Sequence, residues 1–340
     1  MKVLVTGGAG FIGSNLVRKL VEKSNVEKVV IVDLLTYAGH LTNLQEINKD
    51  KLELIIGDVA NGQLMDNVID NINFVYHLAA ETHVTRSIYD NYQFFHTDVL
   101  GTQSLANCIL RQSTKQNSQI PLVHISTSEV YGTAETDLMD EMHPLNPRSP
   151  YAAAKAGADR LIYSYAKTYN LNSLIIRPFN QFGQYQHPEK LIPRFITNAI
   201  CGDPLPVHGD GSTQRDWTHV DDTTDFLASL IDKDLSGFQG DVFNIGADSS
   251  IPINKIANLV SEQFPACKKI HIDDRPGQVE RHTCNSSKAR KLLDWKVTKN
   301  LDSSIAELVE WYKNNRNIWE PHMLAKDIEL EIVPGKKIRH

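Results

Sequence analysis

Short apolar runs and longer amphipathic segments alternate along the first half of the chain. The apolar runs predict six buried strands, at residues 2–5, 28–32, 52–56, 73–78, 122–125 and 174–176. Between them, apolar residues recur at helical spacing, most clearly at 14–23, 91–110 and 151–169. Strands that alternate with helices are typical of a parallel, doubly wound sheet. The pattern therefore predicts an α/β fold with a Rossmann-type sheet.

The pattern changes after about residue 177, where prolines and glycines cluster and the regular alternation ends. We expect residues 1–177 to form the sheet domain and residues 178–315 to form mainly a smaller C-terminal α/β domain for the substrate. A segment near 212–248 is predicted to return to the sheet, because Phe243–Gly246 has the composition of a strand. Residues 303–312 have the spacing of an amphipathic helix, and the tail at 316–340 is charged and without pattern from Glu320 onward.

Composition excludes several classes of protein. The 340 residues carry a net charge of −6, so no overall basic field favours nucleic acid or an anionic membrane. No apolar stretch approaches the roughly 18 residues of a membrane span, and the first apolar run is too short for a signal peptide. The four cysteines are widely spaced, which argues against zinc or a disulfide framework and favours a reducing cytoplasm.

A glycine-rich turn follows the first predicted strand. Gly8, Gly10 and Gly13 form the pattern Gly-x-Gly-x-x-Gly between a strand and a helix. Such a turn lets the backbone approach a pyrophosphate, and the helix N-terminus offers it N–H donors. Asp33 ends the second strand, where a carboxylate accepts hydrogen bonds from the adenosine ribose and repels a 2′-phosphate. These positions predict NAD as the cofactor. Asp58 either contacts the edge of the adenine or is a residue of a turn.

A tyrosine and a lysine four residues apart supply candidate proton-transfer chemistry. Tyr151 and Lys155 share one helix face, and the ammonium can lower the tyrosine pKa towards neutral pH. Tyr163 and Lys167 have the same spacing. The first pair is favoured because it follows Pro150 at a predicted helix start and a Ser/Thr-rich strand end lies upstream.

These residues resemble the extended short-chain dehydrogenase/reductase superfamily. Further segments resemble its nucleotide-diphosphate-sugar 4,6-dehydratases, with the dTDP-glucose enzymes closest, and the resemblance covers about residues 1–315. The segments that carry it are Asp33–Gly39, Ala79–Val84, Glu189–Pro193, Arg215–Trp217 and Asp274–Gly277.

The resemblance implies a reaction in which the substrate is oxidised only transiently. Tyr151 takes the C4 hydroxyl proton while hydride passes to NAD, and Thr127 hydrogen-bonds the same oxygen. Glu129 then removes the acidified C5 hydrogen, and water leaves from C6 with help from Ser128 or Glu129. Hydride return to C6 gives a 4-keto-6-deoxy sugar. The chain departs from the dTDP-glucose pattern at Ser128, which replaces the usual aspartate, and at Leu34, which replaces a lysine.

No metal is expected, because the remaining histidines show no ligand spacing and Asp221-Asp222 is typical of a helix cap.

The residues expected to contact ligands divide into two groups, one for the cofactor and one for the substrate. The cofactor is predicted to contact Gly7, Gly10, Phe11, Ile12, Gly13, Asp33, Leu34, Thr36, Asp58, Val59, Leu78, Ala79, Ala80, Thr97, Tyr151 and Lys155. A nucleotide-diphosphate sugar is predicted to contact His83, Arg86, Asn180, Glu189, Lys190, Leu191, Arg215 and Arg281. By resemblance, Arg215 and Arg281 bind the diphosphate or nucleotide, and Asn180 and Lys190 the phosphate–ribose region.

Alternative functions remain open on the sequence. A nucleotide-sugar 4-epimerase needs Tyr151 but leaves Glu129 idle. A UDP-glucuronate decarboxylase needs an arginine aimed at the C6 carboxylate, for which Arg148 is the candidate. A non-catalytic NAD sensor is disfavoured by the intact Thr127, Tyr151 and Lys155. Relatives by resemblance form dimers through four helices, so we expect a homodimer that uses segments 91–110 and 151–169.

Overall fold

The computed structural model describes residues 1–274, 278–326, 329–333 and 336–339. Arg275–Gly277, part of one segment that carries the resemblance, lie outside the described residues. The strands are β1 Lys2–Thr6, β2 Lys28–Asp33, β3 Leu52–Ile56, β4 Phe74–His77, β5 Leu122–Ile125, β6 Ser173–Pro178, β7 Asn180–Phe182, β8 Leu205–His208, β9 Gln214–Arg215, β10 Trp217–His219, β11 Asp241–Ile245, β12 Ile251–Pro252, β13 Lys269–Ile272, β14 Glu329–Val333 and β15 Lys336–Arg339.

Helices connect most of these strands. They are α1 Phe11–Glu22, α2 Gly62–Ile69, α3 Val84–Tyr89, α4 Tyr92–Phe94, α5 Thr102–Gln116, α6 Pro150–Tyr169, α7 Leu191–Cys201, α8 Val220–Ser229, α9 Ile253–Gln263, α10 Ser287–Leu293, α11 Leu301–Asn314 and α12 Arg316–Trp319. Among the described residues, no helix is both long enough and apolar enough to cross a membrane.

Seven parallel strands form the main sheet, in the order β11-β6-β5-β4-β1-β2-β3. The fold is therefore the predicted Rossmann-type α/β sheet. Strand β1 lies between β2 and β4, so the chain reverses its direction across the sheet at this point. In sheets of this kind, ligands bind in the crevice outside the carboxyl ends of the strands at such a reversal.

Each face of the sheet is covered by its own helices. In β1, Val3 and Val5 pack with Leu16 of α1 on one face, and Leu4 packs with Ile109 of α5 on the other. Successive side chains of a strand point to opposite faces, which explains the continuous apolar run of a strand buried on both sides. All five residues are fully buried.

The second half of the chain contributes to the sheet and also builds a separate core. Strand β11 pairs with β6, and it contains the Phe243–Ile245 stretch that the sequence predicted to return. A second cluster joins Phe195 of α7, Ile256 of α9 and Val309 of α11 away from the sheet. The division of the chain into domains at residue 177 remains a prediction.

Three local predictions were wrong. The helix predicted at 91–110 is interrupted by a π-helical turn, Phe95–Gly101, and α5 then runs to Gln116. The C-terminal tail contains β14 and β15, which pair antiparallel and carry β-branched residues that the charged composition obscured. Asp221 and Asp222 lie in the first turn of α8, whose N-cap is His219.

A buried ion pair fixes helix α6 against the sheet. The Arg177 guanidinium of β6 donates from Nε to Asp159 Oδ2 over 2.8 Å and from Nη2 to Asp159 Oδ1 over 2.9 Å. Its Nη1 donates to the Tyr131 hydroxyl, 2.7 Å away. This guanidinium holds the pKa of the Asp159 carboxyl below its ordinary value despite burial. Because Asp159 lies one turn beyond Lys155, the pair also sets the position of the lysine.

Candidate active site

One cavity of about 440 Å³ lies along the carboxyl ends of the sheet strands. Its lining begins at the glycine turn after β1 and continues through the ends of β2, β4 and β5 to the loops of the C-terminal half. The volume is within the range of about 300–1,000 Å³ that is usual for small-molecule sites. Apolar walls with a few convergent polar groups make it the candidate active site.

The glycine turn brings bare backbone to one end of this cavity. Gly7 has φ +71°, and a Cβ there would lie 2.6 Å from the backbone nitrogen of Ala79. A Cβ at Gly13 would collide with the carbonyl oxygen of Gly7. Helix α1 then begins without a side-chain cap at Gly10. Its first N–H groups therefore remain available to an anion in the cavity.

Two carboxylates, one at the end of β2 and one after β3, also line the cavity. Asp33 is buried, and its oxygens accept hydrogen bonds from the backbone N–H of Ala9 over 2.9 Å and of Leu35 over 2.8 Å. Burial raises the pKa of its carboxyl. Asp58 accepts from the Ala60 N–H over 2.8 Å, and its Oδ2 lies 2.8 Å from His96 Nε2. Both acids line the cavity, and each carboxylate oxygen keeps a second lone pair for a ligand.

Tyr151, Lys155 and Thr127 converge on the middle of the cavity. Helix α6 carries the first two on one face, and Thr127 follows the end of β5. The Tyr151 hydroxyl is hydrogen-bonded to the Thr127 side chain, and its ring lies edge-on to Phe94. Lys155 Nζ donates to the carbonyl oxygen of Ile125 over 2.6 Å. The two side chains of α6 are buried but reach the cavity.

The electrostatics of this group differ from the expectation. Burial raises the pKa of Tyr151, and the hydrogen bond from Thr127 only partly offsets this rise. The Lys155 ammonium is engaged by Ile125 and faces Asp98, which lies on the π-helical turn. Burial lowers the pKa of Lys155 and raises that of Asp98, while each charge favours the ionised form of the other. A neutral Tyr151 is therefore expected in the protein without ligands.

Glu129 faces the cavity, whereas Ser128 does not. The Ser128 hydroxyl lies 3.4 Å from Nδ1 of the buried His282, whose Nε2 donates to the Gly132 carbonyl over 2.7 Å. Because Nε2 carries the proton, Nδ1 accepts from the serine. Glu129 lies next to the same histidine, with its Oε1 4.0 Å from Nδ1, and lines the cavity beside Thr127 and Tyr151. Glu129 is therefore an acid that lines the cavity together with Thr127 and Tyr151.

The start of α6 supports a stability prediction. Ser149 is the N-cap residue and accepts a hydrogen bond from the Ala152 N–H over 3.2 Å, while Pro150 occupies the first turn. We expect Ser149→Ala to lower the free energy of unfolding by about 1 kcal/mol, because one N–H of the first turn loses its acceptor. Denaturant unfolding measures this loss. Asn300→Ala, which removes the cap of α11, serves as a comparison of similar size, and an unchanged midpoint for Ser149→Ala would contradict the prediction.

The other end of the cavity is built around a buried carboxylate. Glu189 Oε2 lies 3.3 Å from His83 Nε2 and 3.6 Å from Arg86 Nε, and Oε1 lies 3.5 Å from Lys190 Nζ. Lys190 also donates to the Thr82 carbonyl over 2.9 Å. Burial raises the pKa of Glu189, and the neighbouring cations oppose this rise. The network fixes Lys190 at the edge of the cavity.

Arg215 and Asn180 also reach this end. Arg215 is buried and donates to the carbonyl oxygens of Gln214 and Val279. Asn180 Oδ1 is buried without a hydrogen-bond partner among the described residues. Lys190 and Arg194 bring further positive charge to the lining. Cations and an unsatisfied amide at one wall suit a phosphorylated ligand.

The structure brings most of the sequence-predicted residues into one cavity, but it leaves three outside the lining. Ser128 turns to His282, Arg86 stacks over the Tyr37 ring at 4.5 Å, and Arg281 donates to the Thr136 carbonyl. The roles assigned to all these residues remain predictions. The lining also includes residues that the sequence did not single out as ligands, among them Tyr37, Glu81, His187, His208, Thr213, Trp217 and Gln278.

The chain belongs to a known family. The family model described as GDP-mannose 4,6 dehydratase matches residues 4–308. The dTDP-glucose 4,6-dehydratase of Streptomyces niveus is 37% identical over 328 residues, which cover 94% of this chain and 95% of that protein. The match extends over both halves of the chain.

Solved structures agree with this membership. The dTDP-glucose 4,6-dehydratase of Streptomyces venezuelae, solved with NAD bound, has a TM-score of 0.89 and 36% identity, covering 94% of this chain and 99% of that one. A UDP-glucuronic acid 4-epimerase from Bacillus cereus, in complex with NAD, has a TM-score of 0.84 and 28% identity, covering 92% and 99%. Since one fold carries both reactions, the side chains of the site must distinguish them.

Proposed function

We propose that this protein is an NAD-dependent nucleotide-diphosphate-sugar 4,6-dehydratase of the dTDP-glucose type. The observation that carries the proposal is that Glu129 shares one cavity with Thr127, Tyr151 and Lys155. An epimerase needs only a group that moves the C4 proton. Elimination of water across C5 and C6 needs in addition a base at C5, and the Glu129 carboxylate supplies one beside Tyr151.

NAD fits the glycine end of the cavity. The open N-terminus of α1 and the close approach of Gly7 to Ala79 suit its pyrophosphate, and Asp33 suits the adenosine ribose. Bound NAD would supply the hydride acceptor for C4 of the sugar and the hydride donor for C6. Lys155 would hold the nicotinamide ribose beside Tyr151.

The residues of the chain manage the protons. Tyr151 is neutral without ligands and must ionise when the site is occupied, which the positive charge of a bound nicotinamide would favour. As a phenolate it takes the C4 hydroxyl proton, with Thr127 hydrogen-bonded to the same oxygen. Glu129 takes the proton from C5, which the neighbouring C4 ketone has made acidic, and then delivers a proton to the departing C6 hydroxyl. Once C6 has received its hydride, C5 needs a proton. Glu129, reprotonated from solvent, delivers this proton, and Tyr151 releases to solvent the proton it took from the C4 hydroxyl, so the protons taken up and released balance. A carboxylic acid in this partly enclosed site can serve in both directions.

Incubation with a panel of nucleotide sugars tests the proposal. Purified protein is offered dTDP-glucose, UDP-glucose, GDP-mannose, UDP-N-acetylglucosamine and UDP-glucuronate, and the products are analysed by mass spectrometry in deuterated water. A dTDP-glucose product lighter by one water, with deuterium at C5, is the expected result. An isomer of unchanged mass, separated by chromatography, would identify an epimerase, and loss of carbon dioxide from UDP-glucuronate would identify a decarboxylase.

Asp33 supports a prediction about cofactor choice. We expect Asp33→Asn to weaken NAD binding about 10- to 100-fold, because a charge-assisted hydrogen bond contributes about 1.5–3 kcal/mol. The preference for NAD over NADP should fall as well, since the variant no longer repels a 2′-phosphate. Calorimetry on cofactor-stripped protein measures both affinities, and Asp50→Asn, at an exposed position, is the control. Unchanged NAD affinity would remove Asp33 from the ribose site.

The protein is also proposed to form a homodimer in the cytoplasm. Its four cysteines are all free thiols, which fits a reducing compartment. The helical segments 92–116 and 150–169 expose large apolar side chains, with Tyr92 73%, Leu100 52% and Tyr169 57% exposed. An exposed group of this kind is typical of a surface that another protein covers.

The dimer proposal predicts the effect of a charge in this surface. Leu100→Asp should weaken self-association at least about tenfold, because a carboxylate would be buried against apolar neighbours. Light scattering over a dilution series measures the change. Leu292→Asp, at a position on α10 that is 44% exposed, is the control. Equal dimerisation of both variants would exclude this surface.

A further inference from the structure

Three histidines that are far apart in the sequence meet beside the active-site cavity. His40 lies in the loop after β2, His187 in the loop before α7, and His322 in the C-terminal turn Glu320–Lys326. One ring nitrogen of each lies within 4.8 Å of those of the other two. The His40 and His322 rings stack with centroids 3.7 Å apart, and the His187 and His322 centroids are 5.7 Å apart. Because 135 residues or more separate the third member, His322, from the others, spacing along the chain could not reveal the cluster.

Two of these rings have a buried nitrogen that makes no hydrogen bond among the described residues. His40 Nε2 and His187 Nε2 are inaccessible to solvent and have no hydrogen-bond partner in the part of the chain that the structure describes. Buried polar atoms are almost always satisfied in folded proteins. Two unsatisfied ring nitrogens in one cluster of three imidazoles indicate a ligand that the described residues do not supply.

A carboxylate lies beside one of these rings. The carboxylate of Glu189 Oε2 lies 3.8 Å from His187 Nδ1. Nδ1 here accepts the Glu189 N–H over 3.3 Å, so the ring proton is on Nε2. Metal binding through Nε2 therefore requires His187 to change tautomer, after which the Nδ1–H can be donated to the Glu189 carboxylate.

We propose that His40, His187 and His322 bind one zinc ion, with water as the fourth ligand. Three imidazoles from three segments are a recurrent zinc set. Zinc–nitrogen bonds of about 2.0–2.1 Å lie in the plane of each ring, so the stacked His40 and His322 rings must rotate as well as approach each other. The site joins the C-terminal turn to the two loops that carry Tyr37 and Glu189. The ion therefore stabilises the C-terminal segment on the wall of the cavity. This proposal does not depend on the reaction that the cavity performs.

A second cluster shows the contrast. Asp216, Asp248 and Cys284 also place ligand atoms within 4.8 Å of one another. Both oxygens of Asp216 accept backbone N–H groups, from Ala247, Ser249 and Cys284. These hydrogen bonds account for the buried Asp216 carboxylate without an ion. Among the described residues, no hydrogen bond does the same for the buried Nε2 atoms of His40 and His187.

Metal titration of the full-length, untagged protein tests the zinc site. Protein stripped with a chelator is titrated with Zn²⁺ against a chromophoric competitor, and separately with Co²⁺ to record its visible spectrum. We expect one ion per chain and a cobalt spectrum of a four-coordinate nitrogen–oxygen site. His40→Gln and His322→Gln should each weaken binding about 100-fold or more. His271→Gln, which removes an exposed histidine outside the cluster, should leave the affinity unchanged.

Hydrogen exchange provides an independent readout. Zn²⁺ should slow backbone exchange in residues 316–323 of the unmodified protein and should have no such effect on His322→Gln. Stripped protein that takes up no Zn²⁺, or binding that survives both cluster substitutions, would overturn the proposal. Uptake with unchanged exchange in 316–323 would overturn the role given to the C-terminal turn.

Discussion

Replacing Tyr151 with phenylalanine is expected to lower turnover of dTDP-glucose by about 10²- to 10⁴-fold, the usual contribution of a positioned general base. The change removes one hydroxyl, which is hydrogen-bonded to Thr127, and leaves the ring against Phe94. Product formation is measured by mass spectrometry under saturating substrate. The free energy of unfolding should change by no more than about 1.5 kcal/mol, the net contribution of one hydrogen bond.

Helix α6 supplies a matched control for this variant. Tyr163 and Lys167 repeat the spacing of Tyr151 and Lys155, but Tyr163 is 41% exposed and Lys167 Nζ lies over its ring at 5.4 Å. Tyr163→Phe should retain full activity. If Tyr151→Phe were equally active, Tyr151 would not be the base, and the proton would have to leave through another group of the cavity.

The comparison of these two pairs shows what the sequence could predict. Local patterns gave the strands of the first half, the glycine turn and the start of α6, because each depends on residues close together in the chain. Tyr151 and Lys155 line the cavity, whereas Tyr163 and Lys167 do not. The sequence favoured the first pair on local signals, Pro150 and the strand end before Thr127, and its catalytic role stays a prediction.

Features that depend on distant contacts could not be predicted. The orientation of Ser128 follows from His282, which is 154 residues away and has no pattern of its own. The engagement of Lys155 with Ile125 and Asp98 follows from the packing of α6 on the sheet and on the π-helical turn. The histidine cluster needs three loops to be folded before any two of its rings meet. In each case the sequence contains the residues, but only the tertiary structure defines their partners.

Substitution of Glu129 by glutamine should separate the two halves of the reaction. Glutamine has nearly the same shape but cannot take the C5 proton, so formation of the dehydrated product should fall by about 10²- to 10⁴-fold. Oxidation at C4 depends on Tyr151 and should persist. We therefore expect the near-ultraviolet absorbance of reduced cofactor to rise when dTDP-glucose is added, with no deuterium entering C5 from the solvent.

Two further variants decide between Glu129 and its neighbours. Ser128→Ala should reduce turnover much less than Glu129→Gln, because the serine hydroxyl faces His282 and does not line the cavity. Glu135→Gln, at an exposed position six residues after Glu129, should have no effect. If Ser128→Ala alone blocked loss of water, the serine would be the group that assists the departing hydroxyl.

If Glu129→Gln kept full dehydratase activity, the C5 base would have to be another residue. If instead neither wild type nor variant released water while both changed the C4 configuration, the same cavity would belong to an epimerase, in which Glu129 has no proton to move.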